Sequence, residues 1–177
     1  MNSLTSSDED TINQTLAKCL GFKAHEVIKD LEHHTIWDAP LGLTYYSLFP
    51  PQFTRGWKWM KLLVRGMELS GYSGFELRRF SKRHWIAGFT CSLGPCLRHG
   101  TNTNDWHGSR AVPGENPGQA TAFAAISALA SGKFAVREYE SPHQNQTTKF
   151  DFDWKPILTI ISEHVQRLED RTVIDCE

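Results

Sequence analysis

The sequence has no apolar stretch near the roughly 20 residues that a membrane-crossing helix needs. Its first residues, MNSLTSSDEDT, are polar and acidic where a secretion signal is basic and then apolar. No membrane partner is expected, and a cytoplasmic protein is. Cysteine is sparse: Cys19, Cys91, Cys96 and Cys176 are scattered through the chain, so free thiols are expected and a disulfide framework is not. There is no excess of basic charge either. Nineteen Lys and Arg stand against twenty Asp and Glu, a formal charge of -1, which removes the general attraction that nucleic-acid binders exert on phosphate backbones. Enzyme signatures are also missing. GxSxG, HExxH, GxGxxG and GxxxxGK[ST] do not occur, and His33, His34 and Asp38 stand as loop-borne acid-base candidates without a signature around them.

What is there is a globular composition, 40% hydrophobic and 22% charged over 177 residues, enough to bury a core without staples. Residues 1 to 7 read as a frayed terminus, followed by a short helix with an acidic first turn (SDEDTINQTLAKCLG) in which Ile12, Leu16 and Leu20 recur at helical spacing. Gly21 stands where a left-handed residue ends a helix. From Phe22 to Phe53 no period is sustained and prolines punctuate, so the segment reads as mostly irregular, with LTYYSLF as one short strand. Thr54 can cap the next helix, with Trp57, Met60, Val64 and Met67 on its core face.

YSGFELRRF and HWIAGFTCSL read as an antiparallel hairpin through Ser81, Lys82 and Arg83, with Trp85, Ala87 and Phe89 alternating onto one face. Residues 94 to 118 read as one long Gly/Pro-rich loop. An alanine-rich helix over Pro117 to Ser131 follows, with Phe123, Ile126 and Leu129 as its large apolar residues. KFAVREYE and KFDFDW read as a second hairpin, and Asp153 caps a last helix with Ile157, Ile160, Ile161, Val165 and Leu168 inward. The expected fold class is α+β: a small antiparallel sheet of two hairpins covered by helices, layered α/β/α-like. Residues 1–131 are expected to form the main domain, and 132–177 a C-terminal hairpin and helix on the same core.

LAKCLGFK at 16–23, IWDAP, PPQFTRGWKWMKLL, the strand pair FELRRF and HWIAGFTC, and PGQATAFAAISAL at 117–129 together carry a resemblance. Over about residues 8–131 the chain resembles the phage ABA sandwich domain family. That resemblance implies a phage protein acting in a bacterial cytoplasm and an α/β layered fold, with no established reaction and no catalytic residues to carry over.

The junction SRAVPGENPGQATAF has the look of a phosphate loop, yet Asn116, Pro117 and Gln119 have the types wanted at an N-cap, first and third helix position. Pro113 and Pro117 also remove two backbone donors. Punctuation explains it better than a ligand. Cys91, Cys96, His99 and His107 give a C-x4-C-x2-H-x7-H pattern that matches no common zinc module, so no metal or other cofactor is expected. Trp106 lacks a periodic explanation as core and sits among polar residues in TNDWHGSR. With His107, Arg110 and Glu115 it can offer a stacking face, a donor and a cation to a small anionic nucleotide-like ligand. Gly118 at the helix start and Arg78 in the basic run Arg78, Arg79, Lys82 and Arg83 complete the candidate set. The function expected from the residues is binding without catalysis. The alternative is a protein-protein module, a homo-oligomer or an inhibitor of a host protein, because a small sheet has open edges. A double-stranded RNA binder is disfavoured by the absence of lysine in PGQATAF, and an unfamiliar hydrolase by the missing signatures.

Overall fold

The computed structural model describes residues 4–29, 32–40, 42–70, 72, 74–81, 84–90, 112–131 and 152–174. Among them the fold is α+β, with four helices and two three-stranded antiparallel sheets against helices, as the sequence leads one to expect. The C-terminal hairpin expected at KFAVREYE and KFDFDW falls mostly on 132–151, outside the described residues.

Helix α1 (Ser6–Cys19) starts earlier than its acidic turn suggests. Leu4 is buried, and Thr5 is the N-cap, its hydroxyl oxygen accepting from the Asp8 N–H at 3.1 Å. The expected fraying to residue 7 is thus corrected: a buried leucine and a cap fix the start. At the other end Gly21 has φ +83°, and the Phe22 and Gly21 N–H groups donate to the Ala17 and Lys18 carbonyls at 2.9 and 3.1 Å. This is the left-handed glycine end that the sequence signals.

The segment expected to be irregular is instead strand. β1 (Lys23–Lys29) pairs along its whole length with β2 (Glu32–Asp38), and β3 (Tyr46–Ser47) pairs only with Trp37 and Asp38 at the base. The side chains from Lys23 to Ile28 are all exposed. A strand solvated on both faces has no reason to alternate apolar with polar, so the period-two signal is missing here. The base is anchored by buried Phe22, whose ring stands edge-on to Tyr45 and Phe53, and by buried Trp37; Tyr45 in turn meets Trp59 of α2 edge-on.

Helix α2 (Gly56–Leu69) buries Met60, Leu63, Gly66 and Met67. Gly66 is close to Leu20, whose Cδ1 lies 3.0 Å from where a Cβ would stand. Thr54 is not its cap. The N-cap is Arg55, with no side-chain hydrogen bond, and Thr54 is turned to α1: Asn13 Nδ2 donates to its hydroxyl at 3.2 Å, and its N–H donates to Asn13 Oδ1 at 3.0 Å. Both residues are fully buried. A two-way bond to a buried partner outweighs a local cap.

β4 (Gly74–Arg79), β5 (Trp85–Thr90) and β6 (Val112–Gly114) form the second sheet, with β5 central. Ala87 and Phe89 are buried on the face expected to point inward. β6 corrects the reading of 94–118 as one loop: Val112, Pro113 and Gly114 pair with Ala87, Ile86 and Trp85. Its proline marks it as an edge strand, where a missing N–H is tolerated.

Helix α3 (Pro117–Ser131) lies on β5 and β6, packs also on α2, and is buried almost throughout, so its apolar residues form no stripe. A helix hydrophobic on all sides belongs at the centre of a fold. The Tyr72 hydroxyl donates to the Ala128 carbonyl at 3.0 Å and ties the end of α2 to it. Helix α4 (Lys155–Ile174) begins with the Lys155 N–H on Asp153 Oδ1 at 3.1 Å, the cap expected. Ile157 and Ile161 join the common core, and His164, 1% exposed, meets Phe123 edge-on at 5.6 Å. No described helix is long and apolar enough to cross a membrane.

Replacing Asn13 by Ala strands both the buried Thr54 N–H and its hydroxyl and should cost about 2–3 kcal/mol, whereas Thr54→Val keeps that N–H bonded, strands one N–H of the Asn13 amide and should cost about 1–2 kcal/mol. Urea denaturation of the two variants checks the ranking.

Candidate functional site

The register of the second sheet sets Arg79, Trp85 and Gly114 in one row across β4, β5 and β6. This row is the end of the core-facing side, beyond Phe75, Leu77, Ala87 and Phe89. The Trp85 ring is half-buried and stands perpendicular to Trp57, at 5.7 Å and 88°. Trp57, expected in the core from its helical spacing, is 52% exposed on the first turn of α2. The Arg79 guanidinium lies 5.9 Å from the Trp85 ring centroid, with its Nε–H donated to the Ser81 carbonyl at 3.1 Å. An exposed indole, a second ring that fixes its angle and an arginine therefore share one corner.

The starts of α2 and α3 pack closely against each other, and α3 packs on Gly114 of this row. Where a Cβ on Gly118 would stand, the Thr54 carbonyl oxygen and the Gly56 nitrogen lie 2.9 Å away, and a Cβ on Gly114 would stand 2.8 Å from the Ala120 Cα. Backbone meets backbone at both places, which only glycine allows. Gly56 itself has φ +65°. The first turn of α3 spends its donors internally. The Gln119 N–H donates to Asn116 Oδ1 at 2.9 Å, and Gln119 Oε1 accepts from the Glu115 N–H at 3.0 Å. The box expected from Asn116 and Gln119 is present, displaced by one residue on its return bond. The first turn of α2, by contrast, has neither a side-chain cap nor an acidic residue.

Of the residues singled out from sequence, Trp106, His107 and Arg110 lie outside the described residues, as do Cys91, Cys96, His99, Lys82 and Arg83. Three are placed. Glu115 is half-buried and Gly118 buried at the start of α3, and Arg78 is exposed on β4 opposite Ile86. Gly118 has a packing reason for being glycine. Strand alternation sends Arg78 and Arg79 to opposite faces, so the dense basic run is divided by the sheet. The signal that marks Trp57 is its place after a left-handed glycine, which helical periodicity ignores.

The acid-base candidates do not converge. His34 pairs with Val27 and Asp38 with Lys23, four residues apart along β2, or about 13 Å at strand spacing. No cluster of three His, Cys, Asp or Glu that could hold a metal occurs among the described residues. Cys19 is half-buried, and burial pushes its thiol up to about 11, opposed in part by Lys18. No protein-family model matches the chain, nor does any curated protein or solved structure.

Gly118→Ala should destabilise the fold by about 1–3 kcal/mol, since the colliding atoms are backbone and cannot swing aside; thermal unfolding checks it. At pH 7 only about one Cys19 thiol in ten thousand is ionised, so iodoacetamide should modify it far more slowly than it does a free peptide thiol, as peptide mapping by mass spectrometry would read.

Proposed function

We propose that this is a binding protein without catalysis, and that the Trp57, Trp85 and Arg79 corner takes an anionic aromatic ligand of nucleotide type. The observation that carries the reading is an exposed tryptophan held perpendicular to a second, with a guanidinium beside it. A base can stack on Trp57, a platform that tolerates any base. Its phosphate finds positive charge at Arg79 and at the start of α2, which has no side-chain cap and no acidic residue in its first turn. The resemblance to a phage family supplies the setting: a phage product that sequesters a nucleotide-like signal of a bacterial host.

A second reading is protein recognition, as a homo-oligomer or as an inhibitor of a host protein. It is favoured by Tyr46, Leu48 and Phe49, which are 75%, 54% and 69% exposed at and just after β3. Three large apolar side chains so close together exceed the scattered exposure usual on a surface.

Isothermal titration with cyclic and linear nucleotides tests the first reading. Trp57→Ala should weaken binding about tenfold, in line with the loss of one base–aromatic stack. Arg79→Ala should weaken it more than Arg78→Ala, whose side chain leaves the opposite face of β4. No heat from any nucleotide at about 1 mM would sink the reading.

A further inference from the structure

The cap and body of α2 carry a run of cations without acid: Arg55, Lys58, Lys61 and Arg65 all precede Glu68, the first carboxylate of the helix. Three of the four are committed. The Arg55 guanidinium pairs with Glu9 at 3.0 Å, that of Arg65 with Glu68 at 2.8 Å, and the Lys58 ammonium lies over the Trp59 ring, 4.9 Å from its centroid. Lys61 is exposed and has neither an ion pair nor a ring contact among the described residues.

The helix sets that charge beside the exposed indole. Residues four apart are neighbours on a helix surface, with about 5–6 Å between their Cβ atoms, so Lys61 stands next to Trp57. Helical side chains lean toward the N-terminus, over the turn before their own, and the turn before Lys61 is the one that carries Trp57. Lys58 follows Trp57 directly, leaves the axis about 100° away from it and is taken up by Trp59. Trp57 in turn meets Trp85 at 5.7 Å, and Trp85 meets the Arg79 guanidinium at 5.9 Å. In order of contact, two indole rings stand between two cations on different elements, Lys61 on α2 and Arg79 on β4. One phosphate at Arg79 leaves Lys61 unanswered, whereas a chain of two or three adds charge that Lys61 can meet. An ammonium on a four-carbon stem suits such a chain, because it acts as a point charge and needs no fixed fork geometry.

We infer that Lys61 is a second phosphate-binding residue of the Trp57 corner, and that the ligand there is a nucleoside diphosphate or triphosphate. The inference rests on the nucleotide reading of that corner and adds the number of phosphates to it.

The test is calorimetric titration of adenosine mono-, di- and triphosphate into wild type, Lys61→Gln and Lys58→Gln, at low salt and without divalent cations. Both lysines are exposed, so both variants should fold as wild type does. In wild type, affinity should rise from mono- to triphosphate by about threefold to fivefold, the scale of one exposed ion pair. Lys61→Gln should lose most of that gain, Lys58→Gln should keep it, and Lys61→Glu should reverse the order of the three nucleotides. Binding that needs Trp57 but is equal for all three in wild type, or a gain that survives Lys61→Gln in full, would overturn the inference and leave the nucleotide reading standing. Binding of none of the three overturns both.

Discussion

Asn13 and Thr54 exchange two hydrogen bonds in the fully buried space between α1 and the lead-in to α2. One amide side chain thereby satisfies a backbone N–H and a hydroxyl that have no access to water, a demand that the interior enforces at a few kcal/mol per unmet group. The bond fixes Thr54, and the Thr54 carbonyl is one of the atoms on which Gly118 of α3 rests. Three helices are therefore positioned through one polar contact. The ion pair between Arg55 and Glu9 at 3.0 Å spans the same two elements, but its arginine is more than half exposed and it contributes little beside the buried pair.

Placing α3 so close to the start of α2 has a consequence at the second sheet. α3 covers β5 and β6 from Ala120 onward, and Gly114 is the residue that its backbone touches. The row that contains Gly114 also contains Trp85, so the ring lies where the helix cover begins and leans toward Trp57. The same close packing that makes the core compact leaves an aromatic pair at its rim. Binding surfaces form at such margins, where a rigid scaffold holds large side chains that the core has no room to take.

The sequence discloses those elements whose burial is one-sided. β4 and β5 show in the alternation of Phe75 and Leu77, and of Trp85, Ala87 and Phe89. The ends of α1, α3 and α4 show in Gly21, Asn116 and Asp153, because caps are local chemistry. β1 left no period, since its side chains from Lys23 to Ile28 are all exposed, and β6 is too short and too rich in proline and glycine to stand out from its loop. Thr54 looks like a cap until Asn13, 41 residues away, is seen to claim it. His164 is marked by no local signal, yet it fills a core position against Phe123. Of the candidate site, Trp106, His107 and Arg110 lie outside the described residues, and Trp57 was hidden by helical spacing that would place it in the core.

The junction PGENPGQATAF combines these threads. Its polar residues are consumed by capping, and its glycines by close approach: Gly114 under Ala120, and Gly118 against Thr54 and Gly56. A loop that spends its donors and its glycines on packing has few left for a phosphate. The helix start without a side-chain cap in this region is that of α2, where Gly56 turns the chain with φ +65° and its nitrogen packs against Gly118. The two helix starts meet, one capped by side chains and one not, and the exposed tryptophan belongs to the one without a cap. That asymmetry leaves an exposed indole on the helix start without a side-chain cap, with the first turn of α3 packed against the same turn.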